Sequence, residues 1–305
     1  MSDRSILCLG EVLWDLFPTG PRFGGAAANC ACHGALLGGN VALVSAVGDD
    51  SRGMEAVTIL RDFGVDTSLV QCVADAPTGA VNVSLDHAGK PTFEINRDAA
   101  WDRIAWTPEL AATVEASDAI YFGTLAQRSP ISRATIRRAL QIAEQKGLRR
   151  VLDVNLRRPF FDASLIRESI SLASVLKFSD DEVEAVADAC GIVASAGAET
   201  ILLTLLQRFG LELVVMTRGA QGALLASRDK FIGQPGIPTD VRDTVGAGDA
   251  FAAALLVGLV RQDSLEDIAL VACQTASAVC AIAGAVPTAA EYPRSQKPRS
   301  RPRAS

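Results

Sequence analysis

Residues 40–48, NVALVSAVG, form a short β-rich run that is apolar on both faces. A strand with water on one side alternates apolar and polar residues, so such a run implies burial from both sides. Similar runs recur at SILCLGEVLW (5–14), AIYFGTLA (119–126), RRVLDVNLR (149–157), SVLKFS (174–179) and LELVVMTRG (211–219). Segments with helical spacing lie between them, at 25–38, 51–64, 132–147, 180–190, 195–209, 247–262 and 264–283. In the 132–147 segment Ser132 is placed to cap, Ile136, Leu140 and Ala143 share one face, Arg137, Arg138, Gln141 and Glu144 face water, and Gly147 ends the helix. This alternation predicts an α/β fold with a mostly parallel central sheet covered by helices. One region breaks it. TGAVNVSLDHAGKPTFEI (78–95) reads as two alternating strands around the turn DHAGKP, and with residues 12–24, which hold Pro18, Gly20 and Pro21, it predicts a small sheet standing off the main body.

The chain has 305 residues, 49% hydrophobic and 21% charged, which suits one large folded domain and is too apolar for a disordered chain. Its net charge is −6, yet the end EYPRSQKPRSRPRAS (291–305) carries five basic residues against Glu291 alone. The remainder is therefore more acidic than the whole, which argues against a nucleic-acid-binding surface. Residues 291–305 read as a solvated, basic, Pro-rich, disordered tail. The seven cysteines form no CxxC pair and most sit in apolar segments, so a reducing, cytoplasmic setting fits. In CACH (30–33), Cys30 and His33 share a helix face but find no second ligand pair, so structural zinc is not expected. No signal-peptide pattern occurs, and the longest apolar run, AFAAALLVGLV (250–260), falls short of the roughly 18 residues of a membrane span.

DTVGAGDAF (243–251) carries the chemistry. Gly246 and Gly248 let successive N–H groups converge into a nest, and the apolar run after Asp249 continues as a helix whose first donors lack partners. Such a helix start holds phosphate. No GxxxxGK[ST] occurs, and Phe251 stands where the dinucleotide fingerprint needs Gly or Ala, so neither familiar phosphate-binding turn is present. On the residues alone two readings of Asp249 stay open. It is a first-turn carboxylate stabilising the helix dipole, or a base that takes a proton from an attacking hydroxyl while the N–H groups of Gly246, Ala247 and Gly248 hold the transferred phosphoryl group.

DTVGAGDAF resembles the C-terminal signature of the ribokinase-like (PfkB) carbohydrate kinases, and GGAAANCACHGALLGGNVALVSAVGDDSRG (24–53) resembles their N-terminal signature. The resemblance implies a three-layer α/β/α sandwich over residues 1–290, with lid strands within about 12–24 and 78–104, and ATP, Mg²⁺ and K⁺ as cofactors. It places Asp15, in GEVLWD, as acceptor of sugar hydroxyl hydrogen bonds, Gly24 and Gly25 on the floor below the sugar, and Asn29 as donor and acceptor to it. Without it, Asp15 reads as a strand-end turn residue and 24–29 as a glycine-containing helix start. LDVNLRRPFF (152–161) resembles a strand end of fructokinases and ketosugar-acid kinases, which makes Asn155 and Arg157 candidates to face ligands, a surface salt bridge being the rival for Arg157. FGTLAQRS (122–129) is similar to fructokinases too and adds Gly123 and Arg128.

VLKFSDDEVEAV (175–186) resembles the family segment ending in Asn-x-x-Glu, which organises magnesium and phosphate through water. Glu182 matches the glutamate, Ser179 replaces the asparagine, Lys177 joins the nucleotide-binding set, and Asp180 and Asp181 read as helix-start charges. VVMTRGAQGALL (214–225) places Thr217, Gly219 and Gly222 at the nucleotide phosphate and ribose. Asp243, with backbone oxygens near Val245 and in AIAGAVPT (281–288), matches the family's monovalent-cation site.

The resemblance thus implies ATP-dependent phosphorylation of a primary hydroxyl of a small sugar. GEVLWDLFP, DVNLR and the short insertion between Asp15 and Gly24 resemble fructokinases more than ribokinases, so fructose is the expected acceptor. A 2-keto-3-deoxygluconate kinase, with Arg157 pairing the carboxylate, and a ribokinase are the alternatives. A sugar-binding sensor without catalysis is a different class, favoured by Ser179 alone. A homodimer through the lid is the partner the resemblance suggests, with no nucleic acid and no membrane.

Overall fold

The computed structural model describes residues 4–85 and 91–287. Its strands are β1 (Ser5–Leu9), β2 (Leu13–Phe17), β3 (Gly20–Gly24), β4 (Asn40–Gly48), β5 (Val70–Val73), β6 (Gly79–Leu85), β7 (Pro91–Ile95), β8 (Ala119–Gly123), β9 (Arg149–Asp153), β10 (Val175–Ser179), β11 (Leu213–Thr217), β12 (Ala223–Ser227) and β13 (Phe231–Gln234). Its helices are α1 (Ala26–Leu36), α2 (Ser51–Asp62), α3 (Pro108–Ala116), α4 (Pro130–Gln145), α5 (Ala163–Leu172), α6 (Val183–Ala189), α7 (Ala198–Phe209), α8 (Ala247–Arg261) and α9 (Leu265–Cys280). The main sheet runs β13-β12-β11-β10-β9-β8-β1-β4-β5, parallel from β11 through β5 with β12 and β13 added antiparallel at one edge.

The two-sided apolarity of the strands has its counterpart in two cores. Leu7, Leu9, Val44, Ile120, Phe122 and Leu176 pack toward α3 to α7. Their sequence neighbours Ile6, Cys8, Leu43, Tyr121 and Val175 pack toward α1, α2, α8 and α9. Alternate residues of one strand therefore feed opposite layers, the arrangement that requires helices on both faces. The result is a three-layer α/β/α sandwich.

A second sheet, β3-β2-β6-β7, is the small sheet expected as a lid; among the described residues Leu13, Val81 and Val83 form its buried centre. The run 5–14 is not one strand: it breaks at Gly10, where a side chain would come within 2.7 Å of Ala27, and its second half joins the lid. The lid also ends sooner than residue 104. Residues 100–103 form a 3₁₀ turn whose Trp101 is fully buried in the body. Helix α4 starts earlier than expected, with Ser129 at its N-cap, and Ser132 lies buried inside it, accepting from Ile104 N and donating to Trp101 O. Residues 86–90 of the expected turn, Thr288 and the 291–305 tail lie outside the described residues. No helix among the described residues is long and apolar enough to cross a membrane.

Candidate active site

The carboxyl ends of the parallel strands, where open α/β sheets place their ligands, point toward the start of α8. Like α1 and α7, α8 begins at a glycine of positive φ with no side-chain cap. Gly246 precedes it in the left-handed region (φ 81°), with no side chain capping the first turn. A Cβ on Gly246 would lie 2.4 Å from the carbonyl oxygen of Ala285, so both the backbone angle and the close packing require glycine. Ala247 N makes a long 3.3 Å hydrogen bond back to the Thr244 carbonyl, and no side chain caps the N–H of Gly248 or Asp249.

Asp249 stands in this first turn, and Asn29 Nδ2, from the buried face of α1, donates to its Oδ2 at 2.8 Å. Loss of water raises the Asp249 pKa to about 7; the Asn29 hydrogen bond opposes this, Asp153 adds to it, and Lys177 and Arg157 counter it. A cavity of about 340 Å³ opens here, lined by Asp249 and Gly248, by Asp153 at the end of β9 with Asn155 and Arg157 just beyond it, and by Lys177 and Thr217 of the next two strands with Glu182. A larger cavity of about 630 Å³ lies on the other flank of β3, lined mainly by Phe23, Ile59, Phe63 and residues 283–286. It holds two ionisable side chains, Arg22 and Asp62, whereas the smaller cavity gathers Asp153, Arg157, Lys177, Glu182 and Asp249 and is therefore the candidate site.

Asp15 sits mid-strand in β2, directly across from Arg22 of β3. Burial lifts its pKa to about 6, with Arg157 and Arg22 holding it lower than burial alone would. Gly24 passes so close that a Cβ would be 2.9 Å from Asp15 Oδ2, and Gly25 (φ 105°) leaves 2.6 Å to the Glu11 carbonyl oxygen. Asn155 adopts a positive φ of 40°, a conformation costly for a side-chain-bearing residue. Arg157 is exposed and, among the described residues, in no ion pair; its only side-chain hydrogen bond there is a long 3.4 Å one to the Leu156 carbonyl. The surface salt bridge expected as its rival is absent among the described residues.

Other sites differ from expectation. Arg128 does not face the cavity: it is clamped on Asp102 at 2.7 and 2.8 Å and on the Asn96 carbonyl, with its guanidinium over Trp101. Glu182 is already engaged, accepting from Ser179 N and Oγ at 2.8 and 3.0 Å and from Leu156 N at 2.6 Å. Ser179 thus closes directly onto Glu182. Thr217 lines the cavity, whereas Gly219 and Gly222 fall in the turn beyond β11; Gly222 (φ 85°) has residues 234–236 packed against it. Asp243 accepts from Val245 N and Gly284 N at 3.1 and 3.0 Å, and Arg22 of the lid reaches it at 3.4 Å. His33 bonds the Ala285 carbonyl and is kept neutral by burial, with a pKa of about 4. No group of three or more His, Cys, Asp or Glu among the described residues could hold a metal ion.

Three residues of the site escaped the sequence reading. Glu11 is buried and accepts from Ala26 N, so it covers the start of α1. Arg22 joins the lid to the Asp243 loop. Asp153 pairs with Lys177; a charge set inside each of the apolar runs VLDV and VLKF was the available signal.

The sequence profile of the pfkB family carbohydrate kinases matches residues 11–290. Fructokinase-2 of Zea mays is 33% identical over 250 residues, covering 79% of this chain and 72% of that relative. The fructokinase of Klebsiella pneumoniae is 30% identical over 302 residues, covering 94% and 96%. Among solved structures, a fructokinase double mutant from Vibrio cholerae O395 bound to fructose, ADP and potassium superimposes with a TM-score of 0.80 at 26% identity, covering 95% of this chain and 96% of that one. With its fold, paired signatures and near full-length likeness in agreement, the chain belongs to the pfkB family and is an ATP-dependent carbohydrate kinase of fructokinase-like type.

Proposed function

We propose that this kinase transfers the γ-phosphoryl group of ATP to a primary hydroxyl of fructose, with Asp249 as general base. The observation that carries this reading is the position of the Asp249 carboxylate, one turn inside an uncapped helix start and tuned to a pKa of about 7. A base near neutrality is half deprotonated at working pH and still basic enough to take a hydroxyl proton. The N–H groups of Gly246, Ala247 and Gly248 receive the migrating phosphoryl charge, and Asn29 orients the base.

Asp15, Gly24 and Gly25 hold the sugar beneath the lid, with Asn155 and Arg157 at its other side; Thr217, Gly219, Gly222 and Lys177 attend the nucleotide. The donor set fits a magnesium ion carried by ATP, because no cluster among the described residues competes for it and Glu182, whose oxygens are engaged, would act through water. Magnesium would neutralise phosphate charge. Asp243 faces the 281–287 loop as a potassium site with the Val245 carbonyl would require, although its carboxylate already serves two N–H groups and Arg22.

Fructose is favoured by the near full-length likeness to fructokinases. The unpaired guanidinium of Arg157 favours one second reading, an acceptor with a carboxylate such as 2-keto-3-deoxygluconate. Both sugars, with ribose, should be offered at equal concentration with ATP and magnesium, with and without potassium. The highest kcat/KM should be for fructose; a clear preference for the keto acid establishes the second reading, and sugar binding without turnover would mean a sensor. A lid-to-lid homodimer follows the family habit and is checked by size in solution.

A further inference from the structure

Two opposite charges lie buried side by side beneath the site. Asp153 ends β9, and Lys177 is its register partner on β10, in a cross-strand row completed by Gly123 and Val215. Lys177 Nζ donates to both Asp153 oxygens at 2.9 Å, with the side chains 4% and 2% exposed. Stability does not explain the pair, since apolar residues of similar volume commonly replace a buried ion pair without loss.

Geometry offers another reason. An ammonium has three N–H donors, and Asp153 takes two. A Cβ on Gly248 would lie 3.7 Å from Nζ, so the nitrogen rests against the turn that starts α8, and both charged groups line the same cavity as Asp249. Burial disfavours the Lys177 charge, but Asp153, Glu182 and Asp249 outweigh that and keep it protonated.

We infer that Asp153 is a positioning residue that holds the Lys177 ammonium against the anion-binding turn, so that its third N–H meets the migrating phosphoryl group. Backbone donors supply partial charges; Lys177 adds a full one where negative charge accumulates in the transition state. The inference rests on the proposed phosphoryl-transfer site.

The test is a set of variants, Lys177→Met, Asp153→Asn and the apolar pair Asp153→Leu with Lys177→Met, each assayed for melting temperature, sugar binding, kcat and KM for ATP. The apolar pair should fold and bind sugar, yet lose about 10²–10³-fold in kcat. It should be no slower than Lys177→Met alone, because Asp153 acts only through Lys177. If the apolar pair does not fold, the neutral hydrogen-bonded pair Asp153→Asn with Lys177→Gln carries the same expectation. Near-normal kcat in a folded double variant, or losses that simply add, would overturn the inference. Asp249→Asn run in parallel separates the two ideas: if it abolishes turnover while the double variant retains it, only this inference falls.

Discussion

Helices α2 and α8 each begin beside an aspartate, and the two carboxylates are tuned in opposite directions. At α2, Asp50 is the N-cap: it accepts from Gly53 N, and also from Thr78 N and Oγ at the root of the lid. Burial would raise its pKa, but these hydrogen bonds outweigh that and hold it below the ordinary aspartate value. At α8 the cap is a glycine, and Asp249 sits inside the first turn with one hydrogen bond, from Asn29, so desolvation wins and its pKa climbs to about 7. The same side chain near a helix start is held ionised in one place and, in the other, takes the raised pKa that the proposed base role requires. Depth of burial, far greater at Asp249, together with the number of donors aimed at the carboxylate decides which.

Breaking the α8 side should have the largest effect. Asp249→Asn should lower kcat by about 10²–10⁴-fold with sugar binding retained by calorimetry. Gly246→Ala, which drives a methyl group into the Ala285 carbonyl, should displace the turn and lower kcat by about 10²-fold, read in the same assay. Thermal melting sharpens the contrast. Because the folded state holds the Asp249 proton up to about pH 7 and the unfolded chain releases it near pH 4, the folded state is destabilised as pH rises through that window; Asp249→Asn should therefore gain on the order of 2 kcal/mol at pH 8. Asp50→Ala should do the reverse, losing about 1–2 kcal/mol at neutral pH while the folded enzyme keeps near-normal kcat. The Asp50 contribution is present above the ordinary aspartate pKa and is lost as pH falls below it. Smallest of all, Arg22→Ala should change KM by about 2–5-fold, as expected for a partly exposed ion pair between lid and body.

Much of this was legible in the sequence because it depends on local pattern. NVALVSAVG and LELVVMTRG declare burial on both faces whatever they pack against, and the glycines of DTVGAGDAF declare a turn at a helix start. Partition between sheets was not legible: SILCLGEVLW is apolar throughout, and only the approach of Ala27 to Gly10 in three dimensions shows where one sheet stops and the lid begins. Ser132 carried a cap signal, yet the helix starts at Pro130 and the hydroxyl serves the 3₁₀ turn at Trp101 instead. Pairings such as Asp153 with Lys177 and Arg22 with Asp243 are set by register and lid placement across long sequence separations, where composition is silent.

The most direct test is the pH dependence of kcat/KM for the sugar, which reports groups in the free enzyme. If Asp249 must be deprotonated to act, the rate should fall as pH drops, with an acid limb centred near 7 and steepening about one unit lower where Asp15 also takes a proton. A profile that stays flat down to about pH 5 would mean that no carboxylate of raised pKa is needed for turnover, and Asp249 would not be the base.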